Sequence, residues 1–184
     1  MKRYLLAFAL LLGSRVQAQD APWQFSPLPL ETTTHRVVYA ADRSAPEATP
    51  AELLARARTW PAASTDYRAG SPQVDTAAGT LSRRVIARRG EAQYAGRLTV
   101  RVRHGAYHYR LTDLTYTRPT YARAGKHSTG PVTTAVETLV YTRPSAARTR
   151  RLMALNGLFE ELLRHFEQAM QLPPADLVST ETLP

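Results

Sequence analysis

Two runs of alternating residues meet at His104-Gly105, and they constrain the fold more tightly than any other feature of the chain. With those two residues as a turn, Val102 faces Tyr107, Val100 faces Tyr109 and Leu98 faces Leu111. Side chains along a strand alternate between faces, so all three pairs fall on one side of a sheet. The other side pairs Arg103 with Ala106, Arg101 with His108, Thr99 with Arg110 and Arg97 with Thr112. A slip of one residue would mix the two sets, so the register is specified. One face reads as core, and the other is cationic.

The elements around this hairpin follow from caps and periodicity. Thr49-Pro50-Ala51-Glu52 is a helix start, with a Thr N-cap, Pro at the first helical position and Glu where a capping box needs it. Leu53, Leu54, Ala57 and Trp60 then recur at helical spacing until Pro61. From Ala146 to Gln171 a longer helix is predicted, with Ser145 as its N-cap. Its apolar stripe of Leu152, Leu155, Phe159, Leu162, Phe166 and Ala169 is widened by Leu158, Leu163 and Met170. That breadth favours packing on a sheet over a coiled coil.

Strands are expected at His35–Ala40, and at Ser71–Thr76 and Thr80–Arg88 around the turn Ala77-Ala78-Gly79. The last of these is ambiguous in face, because Arg83-Arg84 and Val85-Ile86 interrupt the alternation; a bulge would resolve it. Strand, helix, a meander of strands and a long helix make an α+β domain.

The N-terminus gives a compartment. Met1-Lys2-Arg3, the apolar run Tyr4 to Leu12 and the small residues of Val16-Gln17-Ala18 form a secretory signal peptide over residues 1–18. The apolar run is less than half the roughly 20 residues that span a bilayer. Cleavage after Ala18 would remove Lys2, Arg3 and Arg15 and lower the formal charge from +9 to +6. The 184-residue chain has no Cys, which excludes a disulfide scaffold, thiol catalysis and lipid attachment through Cys. The remaining organisation is an extended arm at 19–29, one domain over 30–172 with a loop or flap insertion at 117–144, and a loose tail at 173–184. Tyr-Thr-Arg-Pro occurs at Tyr116 to Pro119 and again at Tyr141 to Pro144, too short to define a repeat.

Three stretches carry a resemblance. They are Leu28-Pro-Leu-Glu-Thr leading to Val37-Val38-Tyr39, then Glu52-Leu-Leu-Ala-Arg-Ala-Arg-Thr-Trp60, then Gly105-Ala-Tyr-His-Tyr-Arg-Leu-Thr-Asp-Leu-Thr115. In these the chain resembles the domain of unknown function 4468 family, small exported bacterial proteins with a TBP-like fold. The resemblance covers roughly Pro27 to Arg118, while Tyr121 to Thr142 departs from it. It implies a curved antiparallel sheet with two helices packed on one face, in the order β-α-β-β-β-β-α. The family has no assigned activity to carry over, and sharing a fold with a DNA-bending factor does not transfer that function.

Motifs for chemistry are missing. There is no His-Glu-x-x-His and no Gly-x-Ser-x-Gly, and Gly125-Lys126 is followed by His127 where a phosphate-binding loop needs Ser or Thr. His35, His104, His108, His127 and His165 are scattered, and on a straight strand His108 points away from Tyr107, Tyr109 and Asp113. No catalytic residue, metal site or cofactor is therefore expected.

The candidate ligand-binding residues are Arg97, Arg101, Arg103, His108 and Arg110, whose guanidinium groups could clamp phosphates or carboxylates. The competing expectation is that Arg only solvates an open sheet, since 22 of the 24 basic residues are Arg. Export argues against nucleic acid as a partner and for an anionic envelope polymer, a lipid headgroup or a protein. The expected function is a non-enzymatic exported binding module. A hydrolase with a site under residues 125–141 is one alternative. The other is a structural subunit docking through strand edges or the C-terminal helix.

Overall fold

The computed structural model describes residues 26–60, 67–118 and 131–171. The expected signal peptide, most of the N-terminal arm, residues 119–130 of the insertion and the C-terminal tail lie outside the described residues. In chain order the elements are β1 (Tyr39–Ser44), α1 (Pro50–Thr59), β2 (Tyr67–Ala69), β3 (Gln73–Asp75) and β4 (Thr80–Arg89). Then come β5 (Ala92–Arg103), β6 (Ala106–Arg118), β7 (Val132–Ala135), α2 (Val136–Val140) and α3 (Ala146–Gln171). The strands form one antiparallel sheet in the order β1-β6-β5-β4-β2, with β3 also on β4 and β7 also on β6.

The hairpin register is the expected one. Val102 lies opposite Tyr107, Val100 opposite Tyr109 and Leu98 opposite Leu111, and all six are buried. The apolar face receives α1 and α3. Phe166 of α3 sits among Trp60, Tyr107 and Tyr109, with ring centroids 5.2, 6.1 and 5.7 Å away in edge-on geometry. Helix α1 begins with a complete capping box, the Glu52 amide donating to Thr49 Oγ1 and the Thr49 amide donating to Glu52 Oε2 at 2.7 Å. Ser145 caps α3, its hydroxyl accepting from the Arg148 amide.

Two expectations change. The first strand begins at Tyr39 and not at His35, because residues 31–36 close a turn: the Glu31 amide donates to Arg36 O and the His35 amide to Glu31 O. His35 there takes a left-handed backbone, φ 55°. β4 contains no bulge: Leu81, Arg83, Val85 and Ala87 alternate without interruption and are all buried. The apparent break was Arg83 itself, which points inward. Its guanidinium donates to the carbonyls of Ala57, Arg58, Trp60 and Gly70, tying the end of α1 to the chain beside β2. Within residues 117–144, β7 pairs with β6, and α2 buries Val136, Leu139 and Val140.

Candidate functional site

The opposite face of the sheet carries neither α1 nor α3, and it is where the sequence placed its candidate residues. Along β5 the outward positions are Gln93, Ala95, Arg97, Thr99, Arg101 and Arg103, each heading a row of side chains that runs across the strands. The Gln93 row contains Arg88, and the Ala95 row reaches Arg68 through Ile86. Arg97 lies opposite Arg84, Thr99 opposite Arg110, and Arg101 opposite His108. With Arg103 heading the last, all six consecutive rows hold at least one Arg. At about 3.3 Å per residue, rows recur about every 6.6 Å and the track covers roughly 33 Å.

Sequence reasoning found the part of this track on β5 and β6 and missed Arg68, Arg84 and Arg88. The face of β4 was unreadable because Arg83-Arg84 and Val85-Ile86 interrupt its alternation. Pairing Leu81, Val85 and Ala87 at period two against the known β5 register would have exposed it.

The Arg residues fall into two groups by partner. Arg97 Nε donates to Asp113 Oδ2 at 3.2 Å, and Arg110 Nη2 to Glu31 Oε1 at 3.0 Å. The Thr34 hydroxyl and Arg110 hold the Glu31 carboxyl below the usual carboxylate range. His108 Nδ1 lies 3.1 Å from Asp42 Oδ1. By contrast Arg68, Arg84, Arg88, Arg101 and Arg103 are exposed and have no ion-pair partner among the described residues. The five sequence candidates therefore share one face, but only Arg101 and Arg103 of them present uncompensated charge. Between the cations the face is lined by short hydroxyls, Thr80, Ser82, Thr99, Thr112 and Thr115.

Asp113 reaches this face by a bulge in β6. Ala95 pairs with Thr115 and Arg97 with Thr112, leaving Asp113 and Leu114 opposite the single residue Gly96. Asp113 takes the left-handed conformation, φ 53°, a region Asp and Asn tolerate better than other side chains. The bulge reverses the parity of the strand, so Leu114 enters the core while Asp113 turns outward. Its carboxylate bridges two cations, Arg97 through Oδ2 and Arg36 through Oδ1 at 3.4 Å. It does not meet His108, whose carboxylate is Asp42. Beside Asp113 a groove of about 390 Å³, lined by Ser71, Gln73, Ser82, Arg84, Arg97 and Thr115, opens on the cationic face.

Among the described residues no group of three or more His, Asp or Glu side chains is placed to hold a metal ion. No described helix is long and apolar enough to cross a membrane.

No protein-family model and no curated protein matches the sequence. Solved structures do match the fold. A TBP-like protein from Parabacteroides distasonis superposes with a TM-score of 0.57 at 13% identity, covering 80% of this chain and 99% of that one. A DUF4468 family protein from Bacteroides ovatus gives a TM-score of 0.52 at 14% identity, covering 80% and 92%. The fold resemblance carried by Leu28 to Thr115 is thus met in three dimensions, and this chain is similar in architecture to TBP-like and DUF4468 proteins.

Proposed function

We propose that this protein is an exported, non-enzymatic binding module that holds an extended anionic ligand along its open sheet face. The observation that carries the reading is the unbroken Arg track, with an Arg in each of six consecutive rows and five of its guanidinium groups uncommitted to carboxylates among the described residues. Spaced cations of this kind match a linear polymer with recurring carboxylate or phosphate groups better than a single headgroup. Export rests on the N-terminal charge, apolar run and small-residue cleavage site. An envelope polymer is the class of ligand such an address would offer. The described part of the face carries no Phe, Trp or Tyr on its β4, β5 and β6 rows, so it lacks the stacking platforms that single-stranded nucleic acid uses.

The test is charge reversal at Arg84 and Arg101, two positions without an ion-pair partner among the described residues. Polygalacturonate binding, measured by titration calorimetry, is expected to fall at least about tenfold in Arg84→Glu/Arg101→Glu, with the thermal midpoint unchanged. Absence of binding by the unaltered protein, or binding that survives the reversal, contradicts the reading.

A further inference from the structure

The edge of β6 has an opening. β1 pairs with its residues 106–111 and β7 with residues 115–118, so Thr112, Asp113 and Leu114 face a gap between two strands laid end to end. A cavity of about 570 Å³ occupies this gap, within the size range of small-molecule sites. Both non-glycine residues with a left-handed backbone among the described residues, His35 and Asp113, line it. Such conformations cost free energy and cluster where a binding surface is pre-shaped.

The chemistry of the lining is divided. Ala135, exposed, gives the floor an apolar surface, and the fully buried Leu114 borders it from the core. The Tyr141 ring forms a wall, fixed by its hydroxyl donating to His35 O at 2.8 Å. Around these stand one cation, Arg36, and two carboxylates, Asp113 and Glu137. Glu137 Oε1 accepts from the Val37 amide at 3.0 Å, which holds that side chain in place. The Arg36 side chain is two-thirds exposed, and its one side-chain contact among the described residues is the long 3.4 Å one to Asp113.

From this we infer that the gap is a site for a zwitterionic α-amino acid with an apolar, aromatic side chain. Arg36 takes the ligand carboxylate, Asp113 and Glu137 take the ammonium, and the side chain lies on Ala135 beside Tyr141. A simple anion would meet two carboxylates, and a simple cation would leave Arg36 unmatched. The inference stands apart from the polyanion reading, because it uses none of the partnerless Arg residues of the open face.

Phenylalanine, N-acetylphenylalanine and phenylalaninamide, titrated into methyl-labelled protein, test it by NMR. Phenylalanine is expected to shift the Leu114 and Ala135 methyl signals through its ring current, and each derivative to bind at least about tenfold more weakly. Arg36→Gln should weaken phenylalanine to the level of the amide and leave the amide unaffected. Asp113→Asn keeps the left-handed residue type and should move the preference from phenylalanine toward N-acetylphenylalanine. No shift at millimolar ligand, equal binding of all three compounds, or indifference to Arg36→Gln overturns the inference. The polygalacturonate titration is unaffected by any of these results, so the two proposals fail separately.

Discussion

Arg83 shows why a strand can bury a charge. Its guanidinium reaches four carbonyls at the C-terminal end of α1 and beyond, where a helix leaves acceptors unsatisfied and carries partial negative charge. The same device recurs twice. Arg148 donates to Leu139 O and Val140 O at the end of α2, and Arg56 donates to Met170 O at the end of α3. Each described helix is thus closed by an Arg from another element or from the next helix. The planar fork spreads its donors, Nη1 serving Ala57, Arg58 and Trp60 and Nη2 serving Gly70, whereas a Lys ammonium gathers three donors on one nitrogen. Burial disfavours the charged form of Arg83, yet the carbonyl set compensates it. Arg83→Leu is expected to destabilise the fold by about 3 kcal/mol and Arg83→Lys by about 1–2 kcal/mol, read from denaturant midpoints. A Lys variant as stable as the parent would show that the fork geometry contributes nothing. None of this was legible in the sequence, where an Arg beside another Arg reads as surface.

At the level of elements, legibility followed how many local signals agreed. The β5–β6 hairpin was readable to the residue because alternation, a Gly turn and paired apolar positions all give one register. The capping box of α1 and the Ser145 cap of α3 were equally local. The start of β1 was misread because a β-branched run does not reveal that the preceding residues close a turn. The β6 bulge was unreadable because it depends on what faces it. Gly96 lies opposite the bulge, and a Cβ added there would come within 2.6 Å of Leu114 Cδ2 and 2.9 Å of Leu111 Cδ1. The absent side chain at Gly96 lets Leu111 and Leu114 both enter the core on either side of Asp113. Gly96→Ala is therefore expected to cost about 1–3 kcal/mol and to broaden the NMR signals of Asp113 and its neighbours. A neutral substitution would mean that the bulge tolerates repacking and does not fix Asp113.

For the whole molecule, the sheet divides the chain's chemistry into two surfaces. Aromatics and leucines gather under α1 and α3, while Arg and short hydroxyl residues cover the other side. Much of the formal charge of +9 thus has a place. Some of it closes helices, and some is matched by Glu167. The open face carries the track, in which Arg97 and Arg110 are matched by Asp113 and Glu31 and the other five are unmatched among the described residues. Composition alone could not separate these uses, because the same residue type performs all three. The central claim is that the track acts along its length. Affinity of the unaltered protein for oligogalacturonates of increasing length tests that most directly. The account predicts affinity that rises with each added unit until the oligomer covers the roughly 33 Å of the six rows, and then levels off. Affinity that does not grow with length, or that is equal for the monomer and the polymer, would contradict it.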